Sequence, residues 1–479
     1  MDILLVNPDH GDQNNFPWGV LAVGSYLKNV KNYEVEALDA SLDGEEAALE
    51  IIKQKLNKTK VVGFTSFSSD IPFVKKALDK IKEINPDCLT LIGGPHTSLL
   101  PEQTAAYKNA DIVMYGDGED ATNKLLEKVL GSDKRITNFD DIPGIVYEKN
   151  GELVKTENPE NVDHFDIDYT LLDKRVQNTL GNYIQLLSGR GCSYRCTFCY
   201  VSITSRKWRG FTDGFFSELK NVVDKYNPKT IYFRDEHFFH DKKRIPQLID
   251  FYKKNNFNFK WRATIRAGDV RERYVNQDLL KELEEINCEC LKFGIESGSD
   301  KILKMLRKGL RAKHTKEVVD LMAKFPKINL NVSFLIGVPG ENRDDYSKTI
   351  KMCSYIESKV KNLTIIGPQY YRIYPGGQLY NSVLENYEVE VPKSFEEWEK
   401  RYTDSRNTDE WIDTGIFHPW IQKNDLFLTQ NAFRIIQVLT FDDKGLFTRK
   451  LVKYLLYPLK LIIKLRIKYG FYDYFVELV

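Results

Sequence analysis

Short runs of apolar, largely β-branched residues alternate with stretches of helical spacing through the first third of the chain. Ile3–Pro8 (ILLVNP), Tyr33–Leu38, Val61–Phe67, Leu89–Gly93 and Ile112–Tyr115 read as buried strands. Gly19–Leu27, Glu45–Leu56, Pro72–Ile84 and Ala121–Leu130 between them carry helical spacing. Five strands alternating with helices predict an α/β domain, a flavodoxin- or Rossmann-like doubly wound parallel sheet. Ligands of such sheets bind at the carboxyl ends of the strands.

Those ends read Asn7-Pro8, Thr65-Ser66-Phe67-Ser68-Ser69, Gly93-Gly94-Pro95-His96 and Gly116-Asp117-Gly118-Glu119. Glycine lets a backbone approach a ligand, and hydroxyls supply compact hydrogen-bonding groups. Any one of these ends reads equally well as a plain turn. Four at corresponding positions predict a crevice, with Thr65, Ser66, Ser68, Gly93, Gly94, Pro95, Gly116, Gly118 and Glu119 as its candidate residues.

A hairpin follows, Ile145–Tyr147 and Leu153–Thr156 around Asn150-Gly151. The acidic run Glu157–Asp168 reads as a linker. A second alternation then begins, with strands at Tyr183–Leu187, Thr230–Asp235, Trp261–Ile265, Leu291–Glu296, Leu330–Ile336 and Leu363–Ile366. The pattern divides the chain into a doubly wound domain (1–135), a hairpin and linker (136–180), a second αβ domain (181–385) and a mainly helical C-terminal region (386–479). Residues 382–420 are charged and aromatic and predict helices over the mouth of the second domain. From Arg449 the chain turns basic and apolar. Lys453, Lys460, Lys464 and Lys468 share one helical face and Leu455, Leu459, Ile462 and Ile463 another. That tail reads either as a docked helix or as a peripheral membrane contact.

Composition adds mainly exclusions. The 479 residues are 42% hydrophobic and 29% charged, with Lys+Arg 69 against Asp+Glu 68, a net +1. Collagen, a disulfide scaffold and wholesale disorder do not fit, and no field of one sign points to nucleic acid. No apolar run reaches the roughly 18 residues of a membrane span, and no basic leader precedes the first strand. The expected compartment is cytoplasmic, peripheral to a membrane if the tail engages one. Seven cysteines, odd in number and unevenly placed, suit a reducing compartment.

Three of them are clustered as Cys192-Ser-Tyr-Arg-Cys196-Thr-Phe-Cys199-Tyr200, directly after a strand. Three thiolates can ligate three irons of a 4Fe–4S cluster and leave the fourth open for substrate chelation. A zinc site would need His237 or His240 as a fourth ligand. Those histidines form an HxxH that reads either as a metal pair or as pocket lining. Cys288 and Cys290 read as core residues.

At these residues the chain resembles the radical SAM superfamily. The resemblance implies a partial (β/α)6 TIM-like barrel in which Cys192, Cys196 and Cys199 hold the 4Fe–4S cluster and S-adenosylmethionine chelates its open iron. Asp235-Glu236 matches the family's motif for the SAM amino group, Glu296-Ser297 that for ribose and methionine, and the segment around Ile336 that for adenine. With the doubly wound domain in front, the chain further resembles the cobalamin-binding subgroup of methylases and cyclases. One departure is the lack of Asp-x-His-x-x-Gly, so that motif supplies no histidine to cobalt. The resemblance implies a methyltransferase that passes a methyl group through methylcobalamin to an unactivated carbon. A cyclase or rearrangement enzyme of the same architecture and a non-catalytic cobalamin-binding sensor are the alternatives. Implied partners are a small-molecule or lipid-like substrate and an electron donor such as flavodoxin or ferredoxin, with no nucleic acid.

Overall fold

The computed structural model describes residues 1–9, 16–132, 136–159, 161–162, 166–204, 207–210, 212–407, 418–421 and 423–440, with Pro458, Leu461, Ile462 and Leu465. Two compact units result. One joins Met1–Gly181 to residues 390–411, the other joins Asn182–Val389 to residues 412–479.

In the first unit, β1 (Ile3–Asn7), β2 (Val35–Asp39), β3 (Val61–Thr65), β4 (Leu89–Gly93) and β5 (Ile112–Met114) run parallel in the order 2-1-3-4-5. All five predicted strands form. Helices cover a sheet that is buried along β1 and β3, which explains why its strands read as continuous apolar runs. The helix Ile71–Ile84 shows the matching stripe: Ile71, Val74, Leu78 and Ile81 are buried at three- and four-residue spacing. Strand order reverses between β1 and β3, and a doubly wound sheet opens its ligand crevice at such a switch point.

Residues 136–180 are not a free linker. The hairpin β6 (Ile145–Lys149) and β7 (Glu152–Lys155) extends the sheet antiparallel to β5, so the sheet has seven strands and is not wholly parallel. The two ends of the acidic run beyond it are docked as well. Tyr115 Oη donates to the carbonyls of Thr156 (2.6 Å) and Glu157 (3.0 Å), and Asp168 pairs with Lys28 at 2.9 Å. Its polar sequence hid buried Tyr169, Leu171 and Leu172 downstream.

The second unit is a single parallel sheet of β8 (Tyr183–Leu186), β11 (Thr230–Phe233), β12 (Lys260–Ile265), β13 (Cys288–Glu296), β14 (Asn329–Ile336) and β15 (Leu363–Tyr370), in chain order. A short ribbon, β9 (Gly189–Arg190) with β10 (Arg209–Gly210), follows β8. The six expected strands are present. One face is apolar in register, as in Ala263, Leu291, Leu330 and Leu363, and the other carries Thr264, Lys292, Asn331 and Thr364. An apolar outer face and a polar inner one are what an open barrel with helices on its outside requires.

The predicted C-terminal cap is divided between the units. The helix Phe395–Asn407 joins the first: Phe395 and Trp398 lie in one core with Phe73, Val74 and Ile92, and Trp398 Nε1 donates to Gln103 Oε1 at 2.7 Å. The helix Lys423–Thr440 packs on the second, with Phe433 edge-on to Phe334 at 4.9 Å and Arg343 paired to Asp425 at 2.9 Å. Phe334 lies one residue from the polar row's continuation, on the apolar side, so this helix backs the sheet rather than roofing its hollow. The basic amphipathic tail with Lys453, Lys460, Lys464 and Lys468 lies outside the described residues. Among the described residues, no helix is long and apolar enough to cross a membrane.

Candidate functional site

The chain leaves β8 through Ser188 and the ribbon, turns at Gly191 with φ +79°, and enters the cysteine loop. Ser202 Oγ donates to the carbonyls of Cys196 (3.0 Å) and Cys199 (2.6 Å), and Thr197 is tied by Oγ1 to the Met305 carbonyl at 3.0 Å. Loop and helix start are therefore fixed before any cofactor arrives. Cys192, Cys196 and Cys199 are free thiols, and burial pushes the first and last above the ordinary thiol range. Binding to iron must then displace their protons. Among the described residues, no three His, Cys, Asp or Glu side chains converge on one metal position. A 4Fe–4S cluster that keeps one iron open needs three thiolates, and three thiols on one short loop supply that donor set.

Sequence reasoning missed the cation beside it. Arg266, directly after β12, places Nη1 3.5 Å from Cys196 Sγ and Nη2 2.5 Å from the Lys308 carbonyl, with its guanidinium stacked 3.4 Å over Tyr194. Its place just past a strand's carboxyl end was the available signal. Lys308 in turn pairs with Glu296 at 3.1 Å, both nearly buried. Glu296 sits at φ +65°, where the pairing of β13 and β14 shifts register, so its side chain folds back over Gly294. A Cβ at Gly294 would stand 2.5 Å from Glu296 Oε1 and 3.0 Å from Lys308 Nζ.

The Asp235-Glu236 pair divides. Asp235 accepts Ser188 N and Oγ, each at 2.7 Å, and faces Arg244, which is 0% exposed and also donates to the Ser188 carbonyl at 2.7 Å. Both its oxygens are spent inside the protein, so it braces the start of the cysteine loop. Glu236 accepts Gly191 N at 3.1 Å and remains open to solvent, although surrounding protein strips enough water from it to push its pKa up. Of the two, Glu236 is the carboxylate free to meet an ammonium group.

The two histidines of the HxxH have different partners. His237 Nε2 is bound to Asp269 Oδ2 at 2.7 Å, while His240 stacks on Trp208 at 4.7 Å. Ser297 is also internal: its hydroxyl meets Thr349 Oγ1 at 3.0 Å and locks β13 to the helix Arg343–Lys359. Ile336 is fully buried with Tyr346 and Leu426, so only backbone near it can meet a ligand. Cys288 and Cys290 are buried core thiols, Cys290 pushed up to about 11 by burial.

In the first unit, Ser66 is buried and donates to the Phe67 carbonyl at 2.9 Å, and Ser68 Oγ meets His96 Nδ1 at 2.8 Å. Gly116 (φ +78°) makes room for Pro159, 2.5 Å from a would-be Cβ, and Gly94 for the backbone of Ser66 at 2.7 Å. At both glycines the missing side chain makes room for the chain's own packing. Glu119 is buried. What the strand ends offer outward is Thr65, Gly93, Pro95, Gly118, exposed backbone at Gly116 and the ring of Phe67, 44% exposed. Small residues at strand ends beside an exposed aromatic ring fit a flat macrocycle. His96 is 1% exposed, edge-on to Trp398 at 5.5 Å, and burial holds its pKa down at about 4. Tied to Ser68 and walled in, it is no ligand for a metal in the crevice.

Comparison with known proteins matches both units to known domains. The sequence model of the B12 binding domain matches residues 12–126, and that of the radical SAM superfamily matches residues 186–353. An uncharacterized methyltransferase of Pyrococcus horikoshii is 30% identical over 335 residues, 68% of this chain and 70% of that one. The anaerobic magnesium-protoporphyrin IX monomethyl ester cyclase of Rubrivivax gelatinosus is 22% identical over 81% of this chain and 71% of its own. Among solved structures, the cobalamin-dependent S-adenosylmethionine radical enzyme OxsB, with aqua-cobalamin and S-adenosylmethionine bound, superposes with a TM-score of 0.69 at 18% identity, covering 98% of this chain and 72% of OxsB.

Proposed function

Because this chain belongs to the radical SAM enzymes that carry a B12 binding domain, we propose that it is a methyltransferase moving a methyl group by way of cobalamin to an unactivated carbon of a small molecule. When bound, the cluster supplies the electron that cleaves the sulfonium of S-adenosylmethionine, and the corrinoid carries the methyl group. The chain's own residues do the positioning. Cys192, Cys196 and Cys199 hold three irons, Arg266 sets a positive charge against Cys196, and Glu236 receives the methionine ammonium. Glu296, steadied by Lys308 at the end of β13, is the carboxylate that would meet the ribose hydroxyls. The half-buried glycines Gly93 and Gly118 and the exposed Gly116, with the Phe67 ring, would take the corrinoid rim.

One observation carries this reading: a thiol triad that leaves an iron open shares a chain with a B12 binding domain. The named methyltransferase relative supports it. The cyclase relative, which spans more of this chain, favours a second reading, radical cyclisation without methyl transfer. Product analysis of anaerobically reconstituted protein separates the two. Methylation yields 5′-deoxyadenosine and S-adenosylhomocysteine together. 5′-Deoxyadenosine without S-adenosylhomocysteine during turnover would replace it with the cyclase. Cys196→Ala abolishes both products, and full function in that variant would restore the non-catalytic sensor.

A further inference from the structure

The inner face of the second unit carries charge that the chemistry above does not use. In register across β12 to β15 run Thr264, Lys292, Asn331 and Thr364, a continuous polar row. Parallel strands in a closed core carry apolar residues on both faces, so such a row marks a hollow. Two cations in it converge on one ring. Lys292 Nζ stands 4.4 Å from the centroid of the Tyr232 ring, and the Arg234 guanidinium 5.2 Å from the same centroid.

Neither cation has an ion-pair partner among the described residues, whereas their neighbours do. Arg262 is bound to Glu289 at 2.5 Å toward the amino ends of the strands, and Lys308 to Glu296 at the carboxyl ends. Asp235 is committed to Ser188 and Arg244. Burial pushes the Tyr232 phenol up, and the Lys292 charge and hydrogen bond, the Arg234 charge and a hydrogen bond with Thr264 more than reverse that. Two unmatched cations held together in a partly desolvated hollow repel one another, and the arrangement is stabilised when an anion enters. Lys292 lies four residues before Glu296, about 13 Å along the strand at roughly 3.3 Å per residue. Lys292 therefore sits below the residues assigned to S-adenosylmethionine, while Arg234 lies two residues before Glu236, at their edge.

We propose that the hollow of this partial barrel binds an acidic small molecule, a carboxylate or a phosphate ester, whose anionic group is received by Lys292 and Arg234 with Thr264 and Asn331 donating beside them. This names the substrate class for the enzyme reading above and rests on it.

The test needs no turnover, so its failure is separable from failure of the methyltransferase reading. Holoenzyme saturated with S-adenosylmethionine is dialysed to equilibrium against labelled inorganic phosphate, and separately against labelled benzoate. At least one probe binds saturably at one site per chain, phosphate alone indicating a phosphate ester and benzoate alone a carboxylate. Lys292→Gln and Arg234→Gln each weaken that binding about tenfold, Lys292→Arg retains most of it, and exposed Lys304→Gln changes nothing. Circular dichroism confirms that each variant is folded. No binding of either probe to the saturated enzyme, or binding untouched in both glutamine variants, overturns the proposal.

Discussion

Arg266 stands with Nη1 3.5 Å from Cys196 Sγ while its other terminal nitrogen holds the Lys308 carbonyl at 2.5 Å. A fixed cation beside one cluster thiolate favours the reduced cluster, because it offsets the added electron. Arg266→Met lowers the cluster's reduction potential by on the order of 50–100 mV, the effect of one partly screened charge at this range. An EPR-monitored redox titration of reconstituted protein reads it. An unchanged potential would reduce Arg266 to a packing role over Tyr194.

The adjacent carboxylates should separate by phenotype. Arg244→Met leaves Asp235 buried without its counter-charge, and breaking such a pair costs roughly 3–5 kcal/mol. Urea unfolding checks this. Glu236→Gln leaves stability within about 1 kcal/mol and instead weakens S-adenosylmethionine binding about tenfold, the scale of one charge-assisted hydrogen bond. Equilibrium dialysis distinguishes the two outcomes.

His96 makes the first unit sensitive to acid. Burial lowers its pKa from 6.5 to about 4, so the unfolded chain binds a proton there that the folded unit refuses. Its contribution is intact above pH 6.5 and is lost as pH falls toward 4, to an extent of about 3 kcal/mol. Denaturant midpoints measured across that window show the loss, and His96→Gln flattens it.

Glu341 gives the second unit the opposite slope. Its carboxyl is buried, with Oε2 accepting Gly337 N at 2.7 Å and Val338 N at 3.1 Å, and burial raises its pKa from 4.5 to about 8. The folded unit binds the extra proton, so stability is full below pH 4.5 and declines as pH rises through 8. Glu341→Gln removes that decline in melts of the second unit followed by the fluorescence of neighbouring Trp420, whose Nε1 donates to the Gly337 carbonyl.

Trp398→Ala tests whether residues 395–407 belong to the first unit. Removing a fully buried indole that also satisfies Gln103 costs about 3–5 kcal/mol. The loss appears in the unfolding of the first unit and exposes His96. Its pKa returns toward 6.5, visible by NMR of the imidazole.

The two alternations of strand and helix were legible because burial of a sheet leaves a local signature, runs such as ILLVN in β1 and the spaced stripe of Ile71–Ile84. The cysteine loop was legible for a similar reason: three soft ligands within eight residues need no distant partner to declare their chemistry. Both are properties of neighbouring residues, and one chain suffices to read them.

Roles that depend on contacts far apart in the chain were not accessible in that way. Nothing local tells Asp235 from Glu236. Arg244 and Ser188, brought in by the fold, make one a brace and leave the other facing solvent. Nothing local shows that the space beside Gly116, where a Cβ would be, is taken by Pro159. Ser297 reads as a cofactor contact until Thr349 takes its hydroxyl. Phe395–Asn407, separated from the first unit by a whole barrel, shows its allegiance only through Trp398 on Gln103. Local pattern carries secondary structure and metal-binding chemistry, because these follow from periodicity and ligand type. The assignment of polar side chains to cofactor, core or substrate follows from which long-range partners satisfy them, and three-dimensional packing alone supplies those partners.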